Sequence, residues 1–114
     1  MTTRRSRPNE PFTRISAEQA KQKLDAKDGT VIIDVREPDE TKTGHVPGAM
    51  LMPVNSVFSR AGELPKDKDV IFICAVGQRS ALAAEIAAAM GLTRLFSIDG
   101  GTDAWRSSGY PLEK

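Results

Sequence analysis

Two short runs constrain this chain most: Val31-Ile32-Ile33-Asp34-Val35 and Val70-Ile71-Phe72-Ile73-Cys74. Both are too short for a helix, rich in β-branched residues and apolar at consecutive positions. They therefore read as strands buried on both faces. The segments around them have helical character. Ser16 opens a first helix, with Gln19 three residues on completing a capping box and Ala17, Ala20 and Leu24 on one side, and the helix is expected to end near Gly29. Residues 37–43 are polar, with Pro38 suited to a first helical turn. Residues 49–54 form a strand candidate interrupted by Pro53, 55–64 a short helix and loop, and 65–69 a charged turn. Residues 80–90 are Ala-rich and closed by Gly91, 94–98 read as a strand, and 101–108 as a last helix ended by Gly109 and Pro111. Buried strands alternating with helices predict an α/β protein with a largely parallel sheet covered on both sides. In such sheets ligands bind at the carboxyl ends of the strands, and the residue at the end of the second run is Cys74.

Composition narrows the function classes. A chain of 114 residues is expected to hold one domain, assigned to 13–114, behind a disordered leader over 1–12. Its size is enough for a hydrophobic core without a disulfide or metal staple. Sixteen Lys and Arg against fifteen Asp and Glu leave a net charge of +1, with no basic excess asking for nucleic acid. One Cys and one His exclude an internal disulfide and a zinc site built from Cys and His alone. No cofactor or metal is called for. The most apolar stretch, 80–90, is interrupted by Glu85 and is too short to span a membrane. The leader carries Arg4, Arg5 and Arg7 but no apolar signal core, and Pro8 and Pro11 break an amphipathic presequence. A reduced cysteine without a signal points to the cytoplasm, and the lack of an apolar stripe to a monomer.

The chemistry concentrates after Cys74, in Ala75-Val76-Gly77-Gln78-Arg79-Ser80. Gly77 permits positive φ, and a tight loop entering a helix N-terminus turns backbone N–H groups inward as an anion cradle. Lowering a free thiol by two pKa units takes about 2.7 kcal/mol. A helix dipole supplies about 0.3–1 kcal/mol. Loop N–H groups and the Arg79 charge are therefore expected to provide the rest. A lone cysteine after a strand is by itself an ordinary buried apolar residue. The glycine, arginine and helix start within six positions favour a nucleophile instead.

The loop Cys74-x-x-Gly77-x-Arg79-Ser80 resembles the active-site loop of the rhodanese sulfurtransferases. Three further segments agree in order: Asp34-Val35-Arg36-Glu37-Pro38-Asp39-Glu40, Gly44-His45-Val46-Pro47-Gly48-Ala49, and Asp99-Gly100-Gly101-Thr102-Asp103-Ala104-Trp105. The resemblance runs from 15 to 111 and implies a three-layer fold with a five-stranded, mostly parallel sheet flanked by helices. It also implies sulfane sulfur transfer by two-step covalent catalysis. Cys74 takes sulfur from thiosulfate or a related persulfide donor and passes it to cyanide or a thiol. Arg79 faces the donor oxyanion and the thiolate, and the N–H groups of Ala75, Val76, Gly77, Gln78 and Ser80 hold the transferred sulfur. With no second cysteine, the acceptor thiol must be external, such as a thioredoxin-like protein. The small Ala75 and Val76 suggest a pocket open to it.

Two other classes compete. Related phosphatases and arsenate reductases are expected to place five residues between cysteine and arginine, making room for a tetrahedral oxyanion, whereas this loop has four. A non-catalytic interaction or regulatory module is expected to lack the cysteine. The remaining motif residues read mainly as structure. Asp34 and Arg36 either orient the loop or form structural ion pairs with Glu37 or Glu40. His45 is a turn-stabilising residue rather than a proton shuttle, and Trp105 a core anchor rather than a pocket wall. Gly100 and Gly101 let their turn approach the catalytic loop, and the Ala-rich face of 80–90 packs on the sheet.

Overall fold

The computed structural model describes residues 9–114. The strands are β1 (Thr13–Ile15), β2 (Val31–Asp34), β3 (Met50–Leu51), β4 (Val70–Ile73) and β5 (Leu95–Ile98). The helices are α1 (Ala17–Asp25), α2 (Pro38–Thr41), α3 (Val57–Arg60), α4 (Gln78–Ala89) and α5 (Gly101–Ser107), with single 3-10 turns on either side of α3. The strands form one five-stranded sheet in the order β1-β5-β4-β2-β3, and every strand pairing is parallel.

The period-two alternation of the central strands divides the core into two layers. Ile33, Val35, Val70, Phe72 and Cys74 face one side, where Val57 of α3 and Ala83, Ala84 and Ala87 of α4 cover them. Ile32, Ile71, Ile73 and Ile98 face the other, under Ala17 and Ala20 of α1 and Trp105 of α5. The alanine face of α4 thus packs on the sheet as its sequence predicts. Small side chains let the helix lie close over the sheet. No helix among the described residues is long and apolar enough to cross a membrane.

The structure amends several boundaries. β1 has no counterpart among the predicted strands, being three residues long and half-exposed at the sheet edge. It is set by its pairing with β5, through Thr13 to Phe96 and Ile15 to Ile98. Phe12 is buried in the core, so the packed body begins inside the stretch assigned to the leader. Residues 1–8 of that stretch lie outside the described residues. The capping box at Ser16 and Gln19 forms, with Gln19 N–H donating to Ser16 Oγ at 3.0 Å and Ser16 N–H to Gln19 Oε1 at 2.9 Å. The helix stops at Asp25, well before Gly29, and Lys27 takes a left-handed conformation at φ +52°. α4 starts at Gln78, two residues before its predicted start, because Gly77 caps it with φ +109°.

Candidate active site

Cys74 follows the last residue of β4 and is 1% exposed. Its Sγ accepts hydrogen bonds from the N–H of Gly77 at 3.1 Å and of Ser80 at 3.3 Å. Of the five loop amides expected to face the sulfur, those of Gly77 and Ser80 reach it. A tight loop into α4 turns two amides onto the sulfur, and only glycine readily takes the backbone conformation of position 77. The Cys74 thiol donates to Ser80 Oγ at 3.6 Å. Ser80 is fully buried; its hydroxyl donates to Gly77 O at 3.1 Å and lies 2.8 Å from Ser97 Oγ. Ala75 is half-buried, while Val76 and Gln78 are exposed at the loop's outer edge.

A second helix N-terminus holds the loop from below. Thr102 N–H donates to Cys74 O at 2.8 Å and Asp103 N–H to Ala75 O at 3.2 Å, so the first turn of α5 takes the loop carbonyls while α4 supplies amides to the sulfur. The close approach expected of the Gly100-Gly101 turn is realised, since a Cβ at Gly101 would overlap Cys74 O and Ala75 O.

The charged residues depart from expectation. Arg79 does not stand free beside the sulfur. It forms a bidentate pair with Glu40 of α2, Nη1 donating to Oε1 at 2.6 Å and Nη2 to Oε2 at 2.8 Å. This pairing with Arg79 holds the Glu40 carboxyl down to about 2. The same contact, principally the hydrogen bond from Arg79 to Glu40, raises the Arg79 pKa, and a charged Cys74 raises it further.

Arg36 also differs from the expected pairing with Glu37 or Glu40. It is buried with Asp34, Nε donating to Oδ1 at 2.9 Å and Nη2 to Oδ2 at 2.7 Å. It reaches Glu40 only at the backbone, Nη1 donating to Glu40 O at 3.2 Å, and its Nη2 also donates to Gly44 O at 2.8 Å. A buried bidentate pair with these extra acceptors fixes the chain leaving β2. Asp34 is the cross-strand partner of Ile73, the residue before Cys74.

His45 takes the turn-stabilising role. Its backbone exchanges two 2.8 Å hydrogen bonds with Glu113, and its Nδ1 lies 3.4 Å from Thr41 O. Trp105 is a core anchor, 1% exposed, with Nε1–H donating to Pro111 O at 2.8 Å. Sequence reasoning missed Ser97 and the contact of Glu40 with Arg79. A serine inside the apolar run Leu95-Phe96-Ser97-Ile98 was the available signal for the first. The second joins residues 39 positions apart and had none.

A wholly parallel, three-layer α/β domain with a cysteine at the head of its central strand, cradled by the amides of the following helix, defines a cysteine-loop domain. The chain belongs to the rhodanese-like domain family, whose model matches residues 16–108. It is 34% identical over 102 residues to the thiosulfate sulfurtransferase GlpE of Pseudomonas putida, covering 90% of this chain and 91% of that one. Among solved structures it is similar to a rhodanese-related protein of Thermoplasma volcanium, with a TM-score of 0.79 and 31% identity over 88% of this chain and 96% of that one. It is also similar to a Rhodopseudomonas palustris protein of unknown function described as a possible tyrosine phosphatase, with a TM-score of 0.79 and 35% identity over 92% and 87% of the two chains.

Proposed function

We propose that this chain is a sulfurtransferase that carries a sulfane sulfur on Cys74 as a persulfide. The observation that carries the reading is the pair of amides, Gly77 and Ser80, aimed at a cysteine sulfur at the end of a buried strand. Backbone N–H groups favour the anionic sulfur of a thiolate without adding a competing nucleophile. With thiosulfate as donor, the Cys74 thiolate attacks the outer sulfur. The new sulfur–sulfur bond forms as the bond to the sulfonate sulfur breaks, and sulfite leaves with the electron pair. Cyanide or a thiol then attacks the outer sulfur of the persulfide, and Cys74 leaves as the thiolate. Cys74 is the sole cysteine, so the accepting thiol comes from another molecule, such as a thioredoxin-like protein.

A phosphatase reading fits the site less well. Four residues separate Cys74 from Arg79. Both terminal nitrogens of Arg79 already bond a carboxylate, which leaves a poor clamp for a phosphoryl group. The deciding experiment is intact mass spectrometry after incubation with thiosulfate, then with cyanide. A gain of about 32 Da (one sulfur atom), removed by cyanide and absent from Cys74→Ser, is the expected result. No gain on folded, reduced protein with thiosulfate or with glutathione persulfide rules the reading out.

A further inference from the structure

The cation closest in the loop to the reacting cysteine is already neutralised, and the device that neutralises it is built rather than incidental. The Glu40 carboxylate receives three hydrogen bonds. Oε1 accepts from Arg79 Nη1 at 2.6 Å and from Glu37 N–H at 2.8 Å, while Oε2 accepts from Arg79 Nη2 at 2.8 Å. Its backbone carbonyl takes Arg36 Nη1, and Arg36 is itself locked on Asp34 at the end of β2. A side chain on a single exposed turn would ordinarily be free to swing. Here the capping box and the buried Asp34–Arg36 pair fix its position relative to β4, because Asp34 and Ile73 are register partners.

We propose that Glu40 is a specificity-determining residue: by holding both terminal nitrogens of Arg79 it withholds the cation from the donor. The site therefore favours sulfane donors of low negative charge, organic persulfides and thiosulfonates, over the thiosulfate dianion. The proposal rests on the sulfur-transfer reading and narrows its donor class. A dianion approaching Arg79 must displace a carboxylate or lie beside it, and either costs electrostatic free energy. The carboxyl stays ionised throughout the working pH range, since Arg79 holds it down to about 2. A donor RSSH avoids the conflict. Its outer sulfur bonds to Cys74 as the bond to the inner sulfur breaks, RS leaves as a thiolate with the electron pair, and the proton stays on the transferred sulfur or passes to solvent.

The test compares thiosulfate, with two negative charges, and benzenethiosulfonate, with one, as donors to cyanide. Wild type, Glu40→Gln, Arg79→Ala and the double variant are assayed after thermal unfolding confirms that each is folded. Glu40→Gln is expected to lower KM for thiosulfate by about fivefold, with kcat changed by less than about twofold. KM for benzenethiosulfonate is expected to fall by no more than about half that factor, because one charge rather than two meets Arg79. The gain is expected to disappear in the double variant, where there is no cation to release. A thiosulfate KM that is unchanged or raised in Glu40→Gln, or equal losses of kcat with both donors, overturns the proposal and makes Glu40 a brace of the loop. Absence of cyanide-labile sulfur on Cys74 from either donor, in wild type and variants alike, overturns the sulfur-transfer reading and the proposal with it.

Discussion

Gly101 lies against the backbone of Cys74 so closely that a methyl group on it would overlap the Cys74 and Ala75 carbonyl oxygens. Its φ of +54° adds a backbone cost for any other residue. Gly101→Ala is expected to destabilise the fold by about 1–3 kcal/mol through overpacking and strain. Because the displaced atoms belong to the loop that carries Cys74, the rate of Cys74 alkylation by iodoacetamide is expected to change as well. Thermal unfolding and alkylation kinetics, measured together, check both effects. Gly109→Ala is the contrast. It shares a positive φ but has no atom within 4 Å of the added Cβ, so it is expected to leave alkylation unchanged.

Ser80 and Ser97 satisfy one another in the buried layer beneath the sulfur, with their hydroxyl oxygens 2.8 Å apart. Removing Ser80 takes away the partner of the Ser97 hydroxyl, at a cost of about 1–3 kcal/mol, whereas Ser80 without Ser97 keeps Gly77 O and the Cys74 thiol and is expected to lose less. Removing both is expected to cost less than the sum of the two single changes. Urea unfolding of Ser80→Ala, Ser97→Ala and the double variant measures that coupling. Ser80→Ala keeps the backbone N–H that reaches Cys74 Sγ, so persulfide formation is expected to persist at reduced rate.

The pair of Glu40 with Arg79 gives a defined acid dependence. The carboxyl sits at about 2 in the folded chain against an ordinary 4.5. A depressed value means that the folded state holds the ionised form more strongly than the unfolded chain does. The stabilisation is present in full above about 4.5 and is lost as pH falls towards about 2. The pair is partly exposed, so after solvent screening it is worth about 1 kcal/mol. Wild type is expected to unfold at a higher temperature than Glu40→Gln at pH 6, and the gap is expected to narrow as pH falls to 2.5. Calorimetry across that range tests the sign.

Trp105 ties the end of the chain to the body. Its indole N–H donates to Pro111 O at 2.8 Å, and two residues on Glu113 bridges to His45. Trp105→Phe retains most of the buried ring but leaves that carbonyl without its donor, at a cost of about 1 kcal/mol plus a packing loss. Hydrogen exchange at the amides of His45 and Glu113 is expected to rise before global stability is lost.

The central strands were legible because both their faces are buried, so apolar residues run without interruption through 31–33 and 70–73. The geometry of the Cys74 loop was legible for a different reason. The sulfur and both its amide donors lie within seven consecutive residues, where local backbone geometry decides who meets whom. The edge strand β1 was not legible, since three residues with a half-exposed pattern acquire strand character only by pairing with β5. Arg79 follows the sulfur by five residues, and nothing in that spacing shows that a carboxylate on another element reaches the same guanidinium.

What the sequence by itself determined is the α/β class, the buried strands and the tight loop after Cys74, all governed by hydrophobic periodicity or by contacts a few residues apart. The tertiary structure alone decided where the charges go. It gave Arg79 to Glu40 and set Ser97 under Ser80. Long polar side chains have several reachable partners in a linear chain. Only the strand order, which brings the ends of β2, β4 and β5 side by side, selects among them.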